Sequence, residues 1–374
     1  MRWLPKKLLH ARKSQEIPPD AAPPRLCHMV GSVPLSSSTE VLQHISAKLP
    51  QRLRRLPDGE TGERREMVRL QKAIFSECPF VLRPDVLSPG NPDPPRTTND
   101  KWIQKKQAIV LGPVKYDEYA IASYEVFRNL KAQGRIEADV RFQVCLPTPA
   151  QITCWLIDPQ HQAQVEILYE AKLLSALRRI QDHIPRDELA IQWDMTAELA
   201  LLDVGYGRFT PWFSGVFLGI GQRAARLAAA VDDGVEMGYH LCYGDKTNGH
   251  FVEPKDSLTL VKLANLLFDI IQRRIDWLHL PVPQNRTDFQ YFAPMQNLYL
   301  RPETDLFLGL VYAGDKDGTN QRIKNAMRII DEFGVSTECG LGKMPVDQLD
   351  GILDLMAAVT SPVERPSISI GTAF

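Results

Sequence analysis

The chain has no excess of charge of either sign: Lys and Arg total 44 against 45 Asp and Glu, a formal net charge of −1 over 374 residues. That balance gives no electrostatic reason to expect a nucleic-acid or membrane-surface partner, although a local basic cleft is compatible with it. No apolar run approaches the roughly 20 residues that a membrane-spanning helix requires. There are only six cysteines, Cys27, Cys78, Cys145, Cys154, Cys242 and Cys339, scattered without the dense spacing of a disulfide framework. They read as reduced thiols of an intracellular protein, some of them available as metal ligands. A Walker sequence is missing, and so is a G-x-G-x-x-G opening a helix after the first strand. Both absences count against a doubly wound nucleotide-binding fold.

What is present is enough apolar material, 44% of residues, to bury a large core. The first 24 residues are basic and then proline-rich. They read as a flexible tail, with a weak organelle presequence as the alternative and the cytoplasm as the expected compartment. From Arg25 to the C-terminus, short segments rich in β-branched and aromatic residues alternate with helical patterns. The candidate strands are RLCHMVGSVP (25–34), LRRLPDGE (53–60), VRFQVCLP (140–147), LAIQWDMT (189–196), EMGYHLCYGD (236–245), DWLHLPVP (276–283), LFLGLVY (306–312) and FGVSTECGLG (333–342). Eight strand–helix units predict an α/β fold, a single parallel (β/α)8 TIM barrel over residues 25–374. Two long connections, 78–115 and 205–221, are expected to be loop insertions near the mouth.

Barrel enzymes carry their chemistry where strands end. The polar residues there are Ser32 on strand one, Asp58 and Glu60 on two, and Asp194 on four. Strand five offers His240 and Cys242, strand six His279, strand seven Tyr312 and Asp315, and strand eight Glu338 and Cys339. Residues i and i+2 of a strand share a face, so His240 and Cys242 can reach one ion together. With Cys339 and His279 converging from the same rim, the set suits Zn²⁺. The competing reading is ordinary: a buried cysteine is usually a small apolar side chain, and a strand histidine is usually hydrogen-bonded. His250 is placed to line the mouth, and Arg64 and Arg286 are candidates for a substrate anion, although a lone arginine usually makes an ordinary ion pair.

Several segments resemble the catalytic barrel of cobalamin-independent methionine synthase, within the superfamily that also holds uroporphyrinogen decarboxylase. VGSVP (30–34), DGETGERREMV (58–68), CLPTPAQI (145–152), IQWDMTAE (191–198), YHLCY (239–243) and VSTECGLGK (335–343) are similar to six family motifs in the family's order. The resemblance implies zinc held by His240, Cys242 and Cys339. It also implies an amino-acid-like substrate held by Ser32, Glu60 and Asp194, where a carboxylate pair suits an ammonium group.

Departures from the family pattern qualify this. The family's glutamate ligand on strand six is missing; LHLPVPQNR offers His279 instead. The family's strand-seven histidine acid is missing as well, and Asp315 stands nearest, with Tyr312 as a further substrate contact. The expected function is a zinc-dependent methyl or alkyl transferase acting on a small thiol or amino-acid-like substrate. The alternatives are a lyase, decarboxylase or isomerase in which Asp194, Glu60 or Asp315 moves a proton, and a non-catalytic binding descendant.

Overall fold

A computed structural model describes residues 7–8, 17, 22–65, 67–87, 108–202, 209–244, 250 and 253–363. Eight parallel strands form the barrel: β1 (Cys27–His28), β2 (Arg55–Pro57), β3 (Arg141–Pro147), β4 (Leu189–Met195), β5 (Glu236–Leu241), β6 (Trp277–Pro281), β7 (Asp305–Val311) and β8 (Gly334–Thr337). Their order around the sheet is β1-β8-β7-β6-β5-β4-β3-β2. A parallel bridge between Cys27 and Leu53 nearly closes the ring. Strands of a barrel are covered on both faces, and β3 to β7 are accordingly almost wholly buried.

Helices fill the connections: α1 (Ser38–Lys48), α2 (Tyr116–Ala132), α3 (Pro149–Leu156), α4 (Gln162–His183), α5 (Val216–Ala229), α6 (Leu258–Ile270), α7 (Lys316–Met327) and α8 (Leu349–Ala358). Local chemistry sets their ends. The Ser37 side chain accepts from the Glu40 N–H at the start of α1, and Thr148 accepts from the Gln151 N–H at the start of α3 with Pro149 following it. Gly134 takes a left-handed φ of 69° just past the end of α2.

Some expectations shift. The first strand pairs over two residues rather than ten, because its continuation toward Ser32 turns away into the mouth. The second expected loop is partly helix: α5 begins at Val216, while residues 203–208 lie outside the described residues. Residues 88–107 of the first expected insertion also lie outside them, as does most of the expected tail. Within that tail, Lys7–Leu8 pairs antiparallel with Tyr299–Leu300. Among the described residues no helix is long and apolar enough to cross a membrane.

The barrel interior has an apolar layer and a polar layer. Leu26, Ala190, Trp277 and Phe307 make the first. Arg55 closes it from the strands' N-terminal end, with its guanidinium 4.2 Å from the Trp277 ring and its Nε 2.5 Å from Glu236. Above lies a hydrogen-bonded set: His28 Nε2 donates to Gln192 Oε1 (2.9 Å), and Gln192 Nε2 donates to Val30 O (2.5 Å) and Asp194 Oδ1 (2.9 Å). Every buried group in such a layer needs its partner, so the layer fixes where the strand ends above it point.

Gly238 on β5 shows how tightly the layers pack. A Cβ there would overlap the indole of Trp277. Gly238→Ala is expected to lower unfolding free energy by about 3 kcal/mol through overpacking, read as a reduced urea midpoint with an unchanged slope.

Candidate metal centre and cavity

Three strand ends build the cluster. His240 lies on β5 and Cys242 just beyond it, on the same face, and the Cys242 N–H bonds Met195 O at 3.0 Å, which carries the β4–β5 pairing to that point. Cys339 follows β8. The β8 register against β7 shifts between Ser336 and Thr337, and a Cβ on Gly309 of β7 would come within 2.7 Å of Glu338 Cα. Only glycine lets β7 pass that close, and the close passage sets the height of Cys339.

Ligand atoms of His240, Cys242 and Cys339 all lie within 4.8 Å of one another, a group that could hold a metal ion. The sulfurs are 3.5 Å apart, and Cys339 Sγ is 3.7 Å from His240 Nε2. The Cys339 thiol, followed by the His240 ring, holds the Cys242 thiol well below its ordinary range against the opposing effect of burial. Burial works against a charged His240 ring, but Cys242 and then Asp194 raise it above the usual range. A ready thiolate beside an imidazole, with a second sulfur in contact, is a donor set that fits a thiophilic divalent cation.

His279 is not brought into this group. It pairs with His240 in the β5–β6 register, so the two rings lie side by side. Its Nδ1 is 2.7 Å from His240 Nδ1 and its Nε2 is 3.0 Å from Thr337 O. Both nitrogens are therefore engaged away from the thiols. Burial holds its pKa well below the usual range, so the ring is neutral.

The cluster opens onto a cavity of about 390 Å³ lined also by Ser32, Glu60 and Asp194. The loop after Cys339 folds over Ser32: the Leu341 N–H bonds Ser32 O at 2.7 Å, and the Gly342 N–H bonds Ser32 Oγ at 3.2 Å. Glu60 has a left-handed φ of 47°, uncommon for a residue with a side chain. Asp58 holds this bend by accepting the Glu60 N–H (3.0 Å) and two bonds from Arg64 (3.0 and 2.8 Å). Arg64, a candidate for a substrate anion, is therefore paired with Asp58. Burial pushes Glu60 up to about 8, with a contribution from the Asp194 charge. Burial likewise pushes Asp194 up to about 7, against His240 and the Gln192 amide, which favour the carboxylate.

Asp315 and Tyr312 do not line the cavity. The Asp315 side chain caps α7 through the Gly318 N–H, and its Oδ2 is 2.8 Å from the fully buried Arg322 guanidinium, which keeps its carboxyl below the usual range although burial opposes this. It is a helix cap and counter-ion rather than an acid at the mouth. The Tyr312 hydroxyl lies 2.6 Å from both Val282 O and Glu338 Oε2. Glu338 Oε1 in turn is 3.1 Å from His250 Nε2. His250 is thus packed beside the cluster, against Glu338, and it too is absent from the cavity lining. Arg286 pairs with Asp288 at 2.8 Å.

Three residues at the cavity, Gln71, Tyr116 and Trp155, had no sequence signal. Tyr116 lines the cavity and its hydroxyl accepts from Gln71 Nε2 at 2.6 Å, while the Tyr169 hydroxyl donates to Gln71 Oε1 at 2.7 Å. Trp155 of α3 forms part of an apolar wall with Ile152 and Leu156. The Thr148–Pro149 pair is a helix-start signature that marks α3 in the sequence.

Fold and site together define an eight-stranded parallel α/β barrel with an imidazole–dithiol group at its C-terminal mouth. No protein-family model and no curated protein matches the chain. Among solved structures, a putative vitamin-B12-independent methionine synthase from Listeria monocytogenes is similar over 91% of this chain and 100% of its own, with a TM-score of 0.51 and 15% identity. A B12-independent methionine synthase from a Shewanella species, in complex with selenomethionine, covers 64% of each chain, with a TM-score of 0.45 and 14% identity. The chain thus spans 64% of the length of the Shewanella protein. At such identity the likeness is one of fold.

Proposed function

We propose that the chain is a zinc-dependent transferase that moves a methyl or alkyl group to a small thiol. The observation that carries this reading is the convergence of His240, Cys242 and Cys339 within 4.8 Å at the wall of a cavity that also holds Ser32, Glu60 and Asp194. Three protein donors beside an open cavity are the pattern of a catalytic zinc site rather than a closed structural one. When bound, zinc supplies a Lewis acid that favours the thiolate form of a thiol at neutral pH. The remaining work falls to the chain. Glu60 and Asp194 face an ammonium group, whose charge draws both carboxyls into their ionised form. Ser32, held by the 340–342 turn, offers its hydroxyl to a carboxylate. The low thiol pKa of Cys242 keeps one sulfur donor ready without a large proton cost.

The likeness to a Listeria protein described as a putative methionine synthase supports this reading through its fold. The test is metal content followed by product analysis. Purified protein is expected to hold about one zinc per chain and to form an S-methyl product from a small thiol such as homocysteine and a methyl donor. Zinc at one equivalent with no S-alkyl product from any thiol would favour the second reading. In that reading the cavity belongs to a lyase or isomerase and Glu60 or Asp194 moves the proton; their position near neutrality, about 8 and about 7, is the specific observation behind it.

A further inference from the structure

We propose that His279 is the positioning residue of the metal centre: it fixes the tautomer of His240 so that Nε2 is bare and aimed at the two thiols. The inference rests on the reading that His240, Cys242 and Cys339 hold zinc, and it assigns His279 a role other than ligand.

Hydrogen-bond direction carries the argument. A backbone carbonyl can only accept, so the contact of His279 Nε2 with Thr337 O at 3.0 Å places the ring proton on Nε2. In a neutral ring Nδ1 is then an acceptor. The atom facing it at 2.7 Å is His240 Nδ1, which must therefore carry a proton and donate it. The other nitrogen of His240, Nε2, is left as the atom that can bind a cation, and it is the one 3.7 Å from Cys339 Sγ. Ligating histidines characteristically donate their second N–H to a fixed acceptor, which sets both tautomer and ring angle. Here the acceptor is a second imidazole instead of the more common carboxylate or carbonyl.

Packing makes the arrangement rigid. His279 is fully buried and absent from the cavity lining. Its ring lies 4.7 Å from the His240 ring on one side and 5.8 Å from the His28 ring on the other. His28 is itself committed to Gln192. With both nitrogens engaged and its ring packed between those of His240 and His28, His279 is held away from the sulfurs. Among the described residues the donor set is therefore one nitrogen and two sulfurs, and the cavity side is where a further donor arrives.

The experiment compares zinc binding by wild type, His279→Gln and His279→Leu, using competition with a chromophoric chelator and X-ray absorption on the zinc-loaded proteins. Glutamine keeps one acceptor and one donor at similar reach; leucine keeps bulk and removes both. Wild type is expected to show one imidazole and two sulfurs from the protein. His279→Gln should bind zinc within about threefold of wild type, and His279→Leu should bind about 10- to 100-fold more weakly with the same protein donor count. Nitrogen-15 shifts of the His240 ring in the zinc-loaded wild type should place its proton on Nδ1 and the metal on Nε2, a reading that requires no variant to fold. Two imidazoles in the wild-type spectrum, wild-type affinity in His279→Leu, or a His240 proton on Nε2 alone would each overturn the inference. Wild type that binds no zinc would defeat the metal reading itself, and this inference with it, which is a result distinct from all three.

Discussion

Replacing Cys339 with serine is expected to strip zinc from the purified protein, weakening its binding by roughly 100-fold or more, since changes outside the ligand shell alone reach 10- to 100-fold. Two effects act together. Serine offers a harder oxygen that stays protonated at neutral pH, in place of a thiolate suited to zinc. The change also disturbs the remaining sulfur, because the Cys339 thiol is the largest influence holding Cys242 below its ordinary pKa. Cys242→Ser should have a loss of the same order, and the double variant should add little, because the two sulfurs act as a unit. Cys145→Ser is the matched control. Cys145 lines the same cavity and is buried, but its thiol is pushed far up by burial and by the Asp194 and Glu60 charges, and it bonds Val30 O at 3.2 Å. Its variant should keep the wild-type zinc content. Elemental analysis after dialysis against a weak chelator reads all five proteins, wild type included. Equal zinc in wild type, Cys339→Ser and Cys242→Ser would end the metal reading.

His240 and Cys242 were legible in the sequence because strand periodicity is local: two residues apart on a strand share a face whatever surrounds them. Cys339 was legible as a strand-end residue. His279 was legible as a rim residue, but not in its direction. Its placement opposite His240 in the β5–β6 register turns the two rings toward each other, and register is a property of strand pairing that one segment does not encode. Asp315 looked like an acid at the end of strand seven. Its aspartate three residues before Gly318, at the start of a helical pattern, also fits an N-cap, and the buried Arg322 one helical face away claims its second oxygen. Tyr116 and Gln71 escaped notice for a different reason. They lie within the long connection between the second and third strands, on either side of the 78–115 insertion, and only the packing of α4, which brings Tyr169 to Gln71, places them at the cavity. The barrel itself was readable from the alternation of segments, whereas the apparent length of β1 was not, since apolar residues continue past the point where pairing stops.

The second large effect concerns Glu60 and Asp194, and it links binding to stability. Metal-free protein is expected to lose stability steadily as pH rises from about 5 to about 8. Both carboxyls hold their protons more tightly folded than unfolded, Glu60 at about 8 against 4.5 and Asp194 at about 7 against 3.8. A raised carboxyl contributes stability that is complete below its unfolded pKa and is lost as pH rises through its folded one. For Glu60 the full shift corresponds to an upper bound of roughly 5 kcal/mol; because the side chain faces the cavity, about 2 kcal/mol is the realistic expectation. The pair loses its protons in two steps, so the repulsion between them falls on the second ionisation. Glu60→Gln should therefore flatten the upper part of the pH dependence and leave the protein about 2 kcal/mol more stable than wild type at pH 8, with little change at pH 5. Urea unfolding at the two pH values reads this directly, and an unchanged slope in Glu60→Gln would show that the carboxyl ionises freely in the folded state. The same variant should bind a cationic ligand such as an amino thiol more weakly, because it has lost the charge that the ammonium draws out. A carboxyl retained at a stability penalty near neutral pH is what a cation-binding site requires, and gain of stability with loss of ligand in one substitution separates that role from a merely structural one.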